Sequence, residues 1–268
     1  MMNYDYYSTM WMCIVIIPKI GRTLSILCSA FVAQAVLKLP DRHVKMANRV
    51  ILYLSISDII FSTTCHIFGI LPVPQGLVYG SSKNQGTCTA QGFLIMFPGW
   101  CAGLYNMTLA PTYLLQVRYE WSEEKLRRYQ PFFIFNPIFV GLVLATSIIP
   151  YSAYNYSGGW ACEISASPFG CDAKDYGVDC IRGANTKDLR LFLANIPLIL
   201  NNIVIINCMI ILYQTVLNQE LNIDRFIISG DQNRALFKIV AMQGIYFSSA
   251  YFLTWMFRYC LCSYLYLL

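Results

Sequence analysis

Positions free of Asp, Glu, Lys and Arg form four long apolar intervals along the chain, at 84–117, 129–162, 191–219 and 239–257. A bilayer core of roughly 30 Å is crossed by about 20 helical residues. Each interval therefore has room for one spanning helix, and the longer ones also for adjoining loops. Two further intervals are less clean. Residues 50–71 are apolar except for Asp58, and residues 18–37 are entered through Pro18 with Lys19 and Arg22 near the start. Lys19 and Arg22 stand three apart, on one helix face from which both can snorkel to one interface. None of the intervals shows the period-two alternation of a barrel strand. The pattern predicts an all-α membrane domain with spans at about 18–37, 49–71, 90–117, 132–153, 191–213 and 237–257. Residues 6–18 are apolar but too short to cross. Asp5 ahead of them makes a poor signal peptide, so they are read as a short outer stub or an extension of the first helix. No internal repeat or low-complexity linker divides residues 1–268, which form a single membrane domain.

Composition agrees. Hydrophobic residues make up 57% and charged residues 12% of the chain, with a mean hydropathy of +0.50; a soluble domain carries about 25% charged residues. This excludes a soluble globular domain, a disordered tail and a coiled coil. Placing the N-terminus outside makes the loops at 38–49, 118–131 and 214–238 cytoplasmic. They hold Lys38, Arg42, Lys45, Arg49, Arg118, Lys125, Arg127, Arg128, Arg225, Arg234 and Lys238, eleven of the 19 basic residues. That is the bias of the positive-inside rule. The net charge of +5 is thus read as membrane orientation, with membrane lipid and not nucleic acid as the partner, and a multi-pass plasma-membrane protein with an extracellular N-terminus is expected.

None of the 11 cysteines falls in a cytoplasmic loop, while Cys88, Cys162, Cys171 and Cys180 all fall in or beside outer loops. Thiols sorted to one face point to an oxidising compartment there. Four cysteines allow three pairings; the favoured one joins Cys88 to Cys162 and Cys171 to Cys180. Cys13, Cys28, Cys65, Cys101 and Cys208 lie in apolar runs and are read as ordinary buried thiols. Asn155-Tyr156-Ser157 is a glycosylation sequon on the outer side, whereas Asn106-Met107-Thr108 lies inside a span and is expected to be silent.

Several motifs carry a family likeness. Leu54-Ser55-Ile56-Ser57-Asp58 sets a carboxylate in the second span. Thr87-Cys88-Thr89-Ala90-Gln91-Gly92-Phe93 opens the third, which closes with Tyr113-Leu114-Leu115-Gln116-Val117-Arg118-Tyr119 and is followed by Trp121-Ser122-Glu123-Glu124-Lys125-Leu126-Arg127. The next outer loop reads Trp160-Ala161-Cys162-Glu163-Ile164 and Asp179-Cys180-Ile181-Arg182-Gly183, and the sixth span ends Phe252-Leu253-Thr254-Trp255. From about Ile17 to Trp255 the chain resembles the cyclic-AMP-receptor-like branch of G-protein-coupled receptors, most of all members from microalgae such as diatoms. The resemblance implies a seven-transmembrane-receptor bundle that activates a cytoplasmic heterotrimeric G protein in response to an unknown extracellular ligand. It also implies the Cys88–Cys162 bridge. It names no ligand. Two departures stand out. Six complete spans are followed at 259–268 by only a partial seventh helix, so the chain is expected to be truncated there. And Val117 stands where many receptors have an acidic residue before the arginine that ends the third helix.

Asp58 is the leading candidate for an intramembrane ion or switch site, because a carboxylate in a membrane helix costs a few kcal/mol unless solvated or paired. It is expected to face the bundle interior, with Ser55, Ser57 and Ser62 as neighbours. The plainer alternative is a protonated Asp with one structural hydrogen bond. Arg118 and Tyr119, with Lys125, Arg127 and Arg128, are candidates for G-protein coupling, since an arginine fork can be locked in one state and released to a partner in the other. The alternatives are a positive-inside anchor for Arg118 and a solvated short helix capped by Ser122. Glu120, Glu123 and Glu124 complete this mixed-charge loop. Gly99 and Gly103 suit close helix packing, and Asn195, Asn202 and Gln243 suit hydrogen bonds between helices. Trp255 is an interface anchor or a pocket wall. His43 and His66, on different elements, make no metal site, and no cofactor is expected.

Other classes fit less well. No HExxH, GxSxG, P-loop or GxGxxG occurs in usable context, which argues against an enzyme. No lysine lies deep in a span to hold retinal. A small-solute transporter is the main competitor, opposed by a single deep acid and the absence of an internal repeat; a truncated, non-signalling regulatory membrane protein is the other.

Overall fold

The computed structural model describes residues 4–40, 45–78, 80–158, 161–172 and 178–223. The elements are α1 (Tyr4–Lys38), α2 (Met46–Thr63), α3 (Gln85–Arg118), α4 (Glu123–Thr146), β1 (Tyr154–Tyr156), β2 (Cys162–Ile164), α5 (Thr186–Arg190) and α6 (Ile196–Ile223). A π-helical turn, Thr64–Phe68, extends α2, and another, Leu191–Asn195, joins α5 to α6. Among the described residues, four helical stretches are long and apolar enough to cross a membrane: Lys19–Lys38, Gln85–Arg118, Glu123–Tyr151 and Thr186–Thr215. The second expected span, 49–71, is not among them. Its helix α2 is 18 residues long and buries the polar side chains Ser55, Ser57 and Ser62. The sixth expected span, 237–257, and the partial seventh, 259–268, lie outside the described residues.

The helix ends explain most of the boundary shifts. α3 begins at Gln85, five residues before its expected start, because Asn84 and Thr87 form a reciprocal cap. The Thr87 N–H donates to Asn84 Oδ1 at 3.0 Å, and the Asn84 N–H donates to Thr87 Oγ1 at 3.2 Å. α4 begins at Glu123, nine residues early, because Ser122 accepts the Lys125 N–H and Glu123 and Glu124 fill the first turn. A side-chain cap and acidic residues both satisfy the electropositive start of a helix. The expected short capped helix and the expected span are one continuous helix. The apolar residues before Pro18 extend α1 rather than forming a separate stub. At the far end of α2 the Thr64 hydroxyl donates to the Ile60 carbonyl at 2.9 Å. Such back-bonding perturbs the regular ladder, and the chain widens into the π turn before leaving at Gly69.

α3 is the central helix, packed by α2, α4 and α6, while α1 packs on α2. The main core joins Val36 of α1, Met46 and Val50 of α2, Tyr105, Leu109 and Tyr113 of α3, Leu126 of α4 and Leu212 of α6. Small residues admit close approaches. Gly99 meets the Phe61 ring of α2, and Gly141 of α4 lies against Cys101 and the Phe97 carbonyl of α3. The outer faces are apolar instead of charged, with Leu27 at 62% and Phe31 at 71% exposure on α1. That is the surface expected where hydrocarbon replaces water. Cys28 follows the same rule and is exposed on α1, whereas Cys65 and Cys101 are buried as expected.

At one end of the bundle the β1–β2 hairpin, paired Tyr154 to Ile164 and Tyr156 to Cys162, lies on the first turns of α3. Tyr154 is 1% exposed and its hydroxyl donates to the Ala145 carbonyl of α4 at 2.9 Å. Its ring lies so close to α3 that a Cβ added at Gly92 would sit 2.4 Å from Tyr154 Cδ1. Gly92→Ala is therefore expected to lower stability by about 1–3 kcal/mol through overpacking. Gly21→Ala, where a Cβ meets nothing within 4 Å, is expected to be neutral or stabilising. Thermal unfolding of the two variants in one detergent checks the contrast.

Candidate functional site

The opening motif of α3 resolves into consecutive tasks. Thr87 caps the helix and also donates to the Pro72 carbonyl at 2.8 Å. Cys88 forms a disulfide with Cys162 of β2, and Cys171 forms a second with Cys180. Gln91, 3% exposed, uses both ends of its amide: Nε2 donates to the Gly69 carbonyl at 2.6 Å, and Oε1 accepts the Cys162 N–H at 3.1 Å. One turn of α3 thus fixes the chain leaving α2 and the hairpin together. Burial pushes the Tyr154 and Tyr156 phenols above the ordinary tyrosine range, as expected where the charged form is desolvated.

Asn155, the glycosylation candidate of the outer sequon, sits buried within this hairpin end. It is 1% exposed. Its Nδ2 donates to the carbonyls of Ser152 at 2.9 Å and Ser165 at 2.7 Å, and its Oδ1 accepts from Gln85 Nε2 at 2.9 Å and Arg182 Nε at 3.2 Å. A sugar on Nδ2 would replace one of its two N–H donors.

Asp58 lies in the second half of α2 and faces α1. The hydroxyls of Ser25 and Ser29 both donate to its Oδ2, each at 2.6 Å. The neighbours expected from its own helix, Ser55, Ser57 and Ser62, make no hydrogen bond to it among the described residues. The partners come instead from a Ser-x-x-x-Ser pair on one face of α1, a spacing visible in the sequence but informative only once the two helices are known to touch. One turn away from Asp58, Phe61 lies under Arg22 of α1, whose Cζ is 4.3 Å from the ring centroid. Arg22 is half-buried over this aromatic face. Phe61 also meets Gly99, so the carboxylate site, α1, α2 and α3 share one packing node.

At the end of the bundle away from the hairpin, Arg118 and Tyr119 are exposed at the close of α3, with the Arg118 Cζ 5.9 Å from the Tyr119 ring centroid. Val117 before them is 1% exposed and belongs to the main core. Lys125, Arg127 and Arg128 are exposed on the first turns of α4, with Lys125 Nζ 4.0 Å from the Trp121 ring centroid. The structure singles out Glu123, which the sequence presents only as one member of a charged loop. Its Oε2 accepts the Met46 N–H, the first of α2, at 3.1 Å, and its Oε1 accepts Gln116 Nε2 of α3 at 2.6 Å. Residue 45, where a capping side chain would sit on α2, is a lysine that makes no cap. Glu123 supplies the acceptor from another helix, and α2, α3 and α4 meet at one carboxylate.

Asn202 bonds its own helix, donating to the Leu198 carbonyl at 3.0 Å, instead of reaching across as expected. His43, Gln243 and Trp255 lie outside the described residues. Among the described residues no group of three or more His, Cys, Asp or Glu side chains could hold a metal ion. No family model matches the chain and no curated protein matches it.

Two measurements check these geometries. Peptide-N-glycosidase treatment of the protein from a glycosylating host is expected to leave its mass unchanged. Replacing Ser25 and Ser29 together by Ala strips Asp58 of both donors within the bundle and is expected to cost about 2–4 kcal/mol. Asp58→Ala is expected to cost less, because freed serine hydroxyls can turn to the carbonyls four residues back on their own helix. Unfolding in a common detergent ranks the two.

Proposed function

We propose that the chain is a receptor of the cyclic-AMP-receptor-like branch of G-protein-coupled receptors. It passes an extracellular signal through the plasma membrane to a heterotrimeric G protein. The N-terminus and the disulfide-bonded hairpin end face outward, and Arg118, Tyr119 and Arg127 meet the partner inside. The observation that carries the reading is the construction of α3. It is the central helix, its first turns are fastened to the hairpin by Cys88–Cys162 and Gln91, and it ends in an exposed Arg118. A helix fastened to the outer hairpin at one end and presenting an exposed cation at the other is the kind of element through which a transmembrane switch can act. The node at Phe61 and Asp58 lies between those ends, where a change in helix packing is transmitted.

The test is ligand-independent nucleotide exchange. Membranes carrying the full chain, mixed in turn with purified heterotrimers of each G-protein class, are expected to bind a non-hydrolysable GTP analogue above the level of mock membranes. Arg118→Ala is expected to reduce that excess severalfold with surface expression unchanged. Exchange equal to mock with every class overturns the reading, and solute flux in proteoliposomes would then favour a transporter.

A further inference from the structure

Lys125, Arg128, Phe132, Phe135, Phe139 and Leu142 follow one another along α4 at alternating steps of three and four residues, which places them on one helix face. All six are exposed, the three phenylalanines at 63%, 66% and 67%. The opposite face carries the buried Leu126, Ile134, Gly141 and Ala145. The stripe is therefore the side of α4 that the described residues of the bundle leave uncovered, and it changes abruptly from cationic to aromatic between Arg128 and Phe132. From Arg128 to Phe139 the helix rises about 16 Å, roughly one leaflet of a 30 Å hydrocarbon core. Trp121 and Tyr129, with ring centroids 5.8 Å apart, stand beside the cations, at the level where amphipathic aromatics mark a membrane interface.

The charges on this stripe are not matched by any described residue. Among the described residues neither Lys125 nor Arg128 takes part in an ion pair. Glu123, in the same first turn, is turned inward to Met46 and Gln116. Both cations are exposed and thus open to an external anion, which would also offset the opposition of cations near a helix start to the helix dipole.

We propose that this face of α4 binds an anionic phospholipid, its headgroup phosphate and carboxylate held by Lys125 and Arg128 and one acyl chain laid along Phe132, Phe135 and Phe139. The inference rests on the membrane-spanning character of α4 and is independent of coupling to a G protein. It assigns Lys125 and Arg128 to the bilayer and leaves Arg118, Tyr119 and Arg127 for a protein partner.

Native mass spectrometry of the full chain released from detergent tests it, with phosphatidylserine and phosphatidylcholine of identical acyl chains as probes. The wild type is expected to retain phosphatidylserine in preference. Lys125→Ala with Arg128→Ala is expected to reduce that preference by roughly fivefold for each cation removed. Lys83→Ala with Lys187→Ala, at the hairpin end, is expected to leave it unchanged. Phe135→Ala with Phe139→Ala is expected to lower retention of both lipids alike. All these side chains are solvent- or lipid-facing, and unchanged thermal unfolding verifies that each variant is folded. Equal retention of the two lipids by the wild type, an unchanged preference in the double cation variant, unchanged retention in the phenylalanine variant, or displacement of the lipid by inorganic phosphate overturns the proposal.

Discussion

The amide of Gln91 joins three segments of the chain, the exit from α2, the first turns of α3 and the β1–β2 hairpin. Its nitrogen holds the carbonyl of Gly69, where the chain leaves α2, and its oxygen holds the N–H of Cys162 in the hairpin. A buried amide with both ends engaged is worth more than either bond alone, because losing one leaves a desolvated polar group behind. The Cys88–Cys162 disulfide sits one turn away and fixes the same pair of elements covalently. Gly92 then lets the Tyr154 ring come close to the helix, and the Tyr154 hydroxyl reaches α4. The position of the hairpin, and with it the whole end of the bundle, depends on this single turn of α3.

The same requirement, that no polar group be left bare where water is absent, shapes the other two nodes. Asp58 and Glu123 are each met by two donors from outside their own helix: two serines of α1 for the first, a backbone N–H of α2 and a glutamine of α3 for the second. A carboxylate treated this way fixes which helices are neighbours, because no other packing supplies the donors. Asp58 pins α1 to α2, and Glu123 gathers α2, α3 and α4 at the far end. Between them the apolar core of Tyr105, Leu109 and Tyr113 is filled by residues that carry little information about partner choice.

Much of this was legible residue by residue. The expected spans at 18–37, 90–117, 132–153 and 191–213 overlap the four long apolar helices, since hydropathy is a sum over neighbours in the chain and needs no tertiary knowledge. Boundaries moved where a cap outweighed a charge. Arg127 and Arg128 suggested a loop, but Ser122 with Glu123 and Glu124 started a helix that carries those arginines on its polar first turns. The second expected span is not among the four, because α2 carries Arg49, Asp58 and a polar serine face within its 18 residues.

What the sequence determined by itself is therefore the class of solvent the helices face, the sorting of Cys88, Cys162, Cys171 and Cys180 to one end, and the presence of one unusual acid at Asp58. Only the tertiary structure decided who meets whom. Asp58 turned to Ser25 and Ser29 rather than to the serines of its own helix, Asn155 turned inward to four partners, and Glu123 became a cap for a helix 77 residues away in sequence. The reason is physical. Burial is set by local composition, but a hydrogen-bond partner is set by the rotation and register of one helix against another, and those are fixed only when every helix has packed.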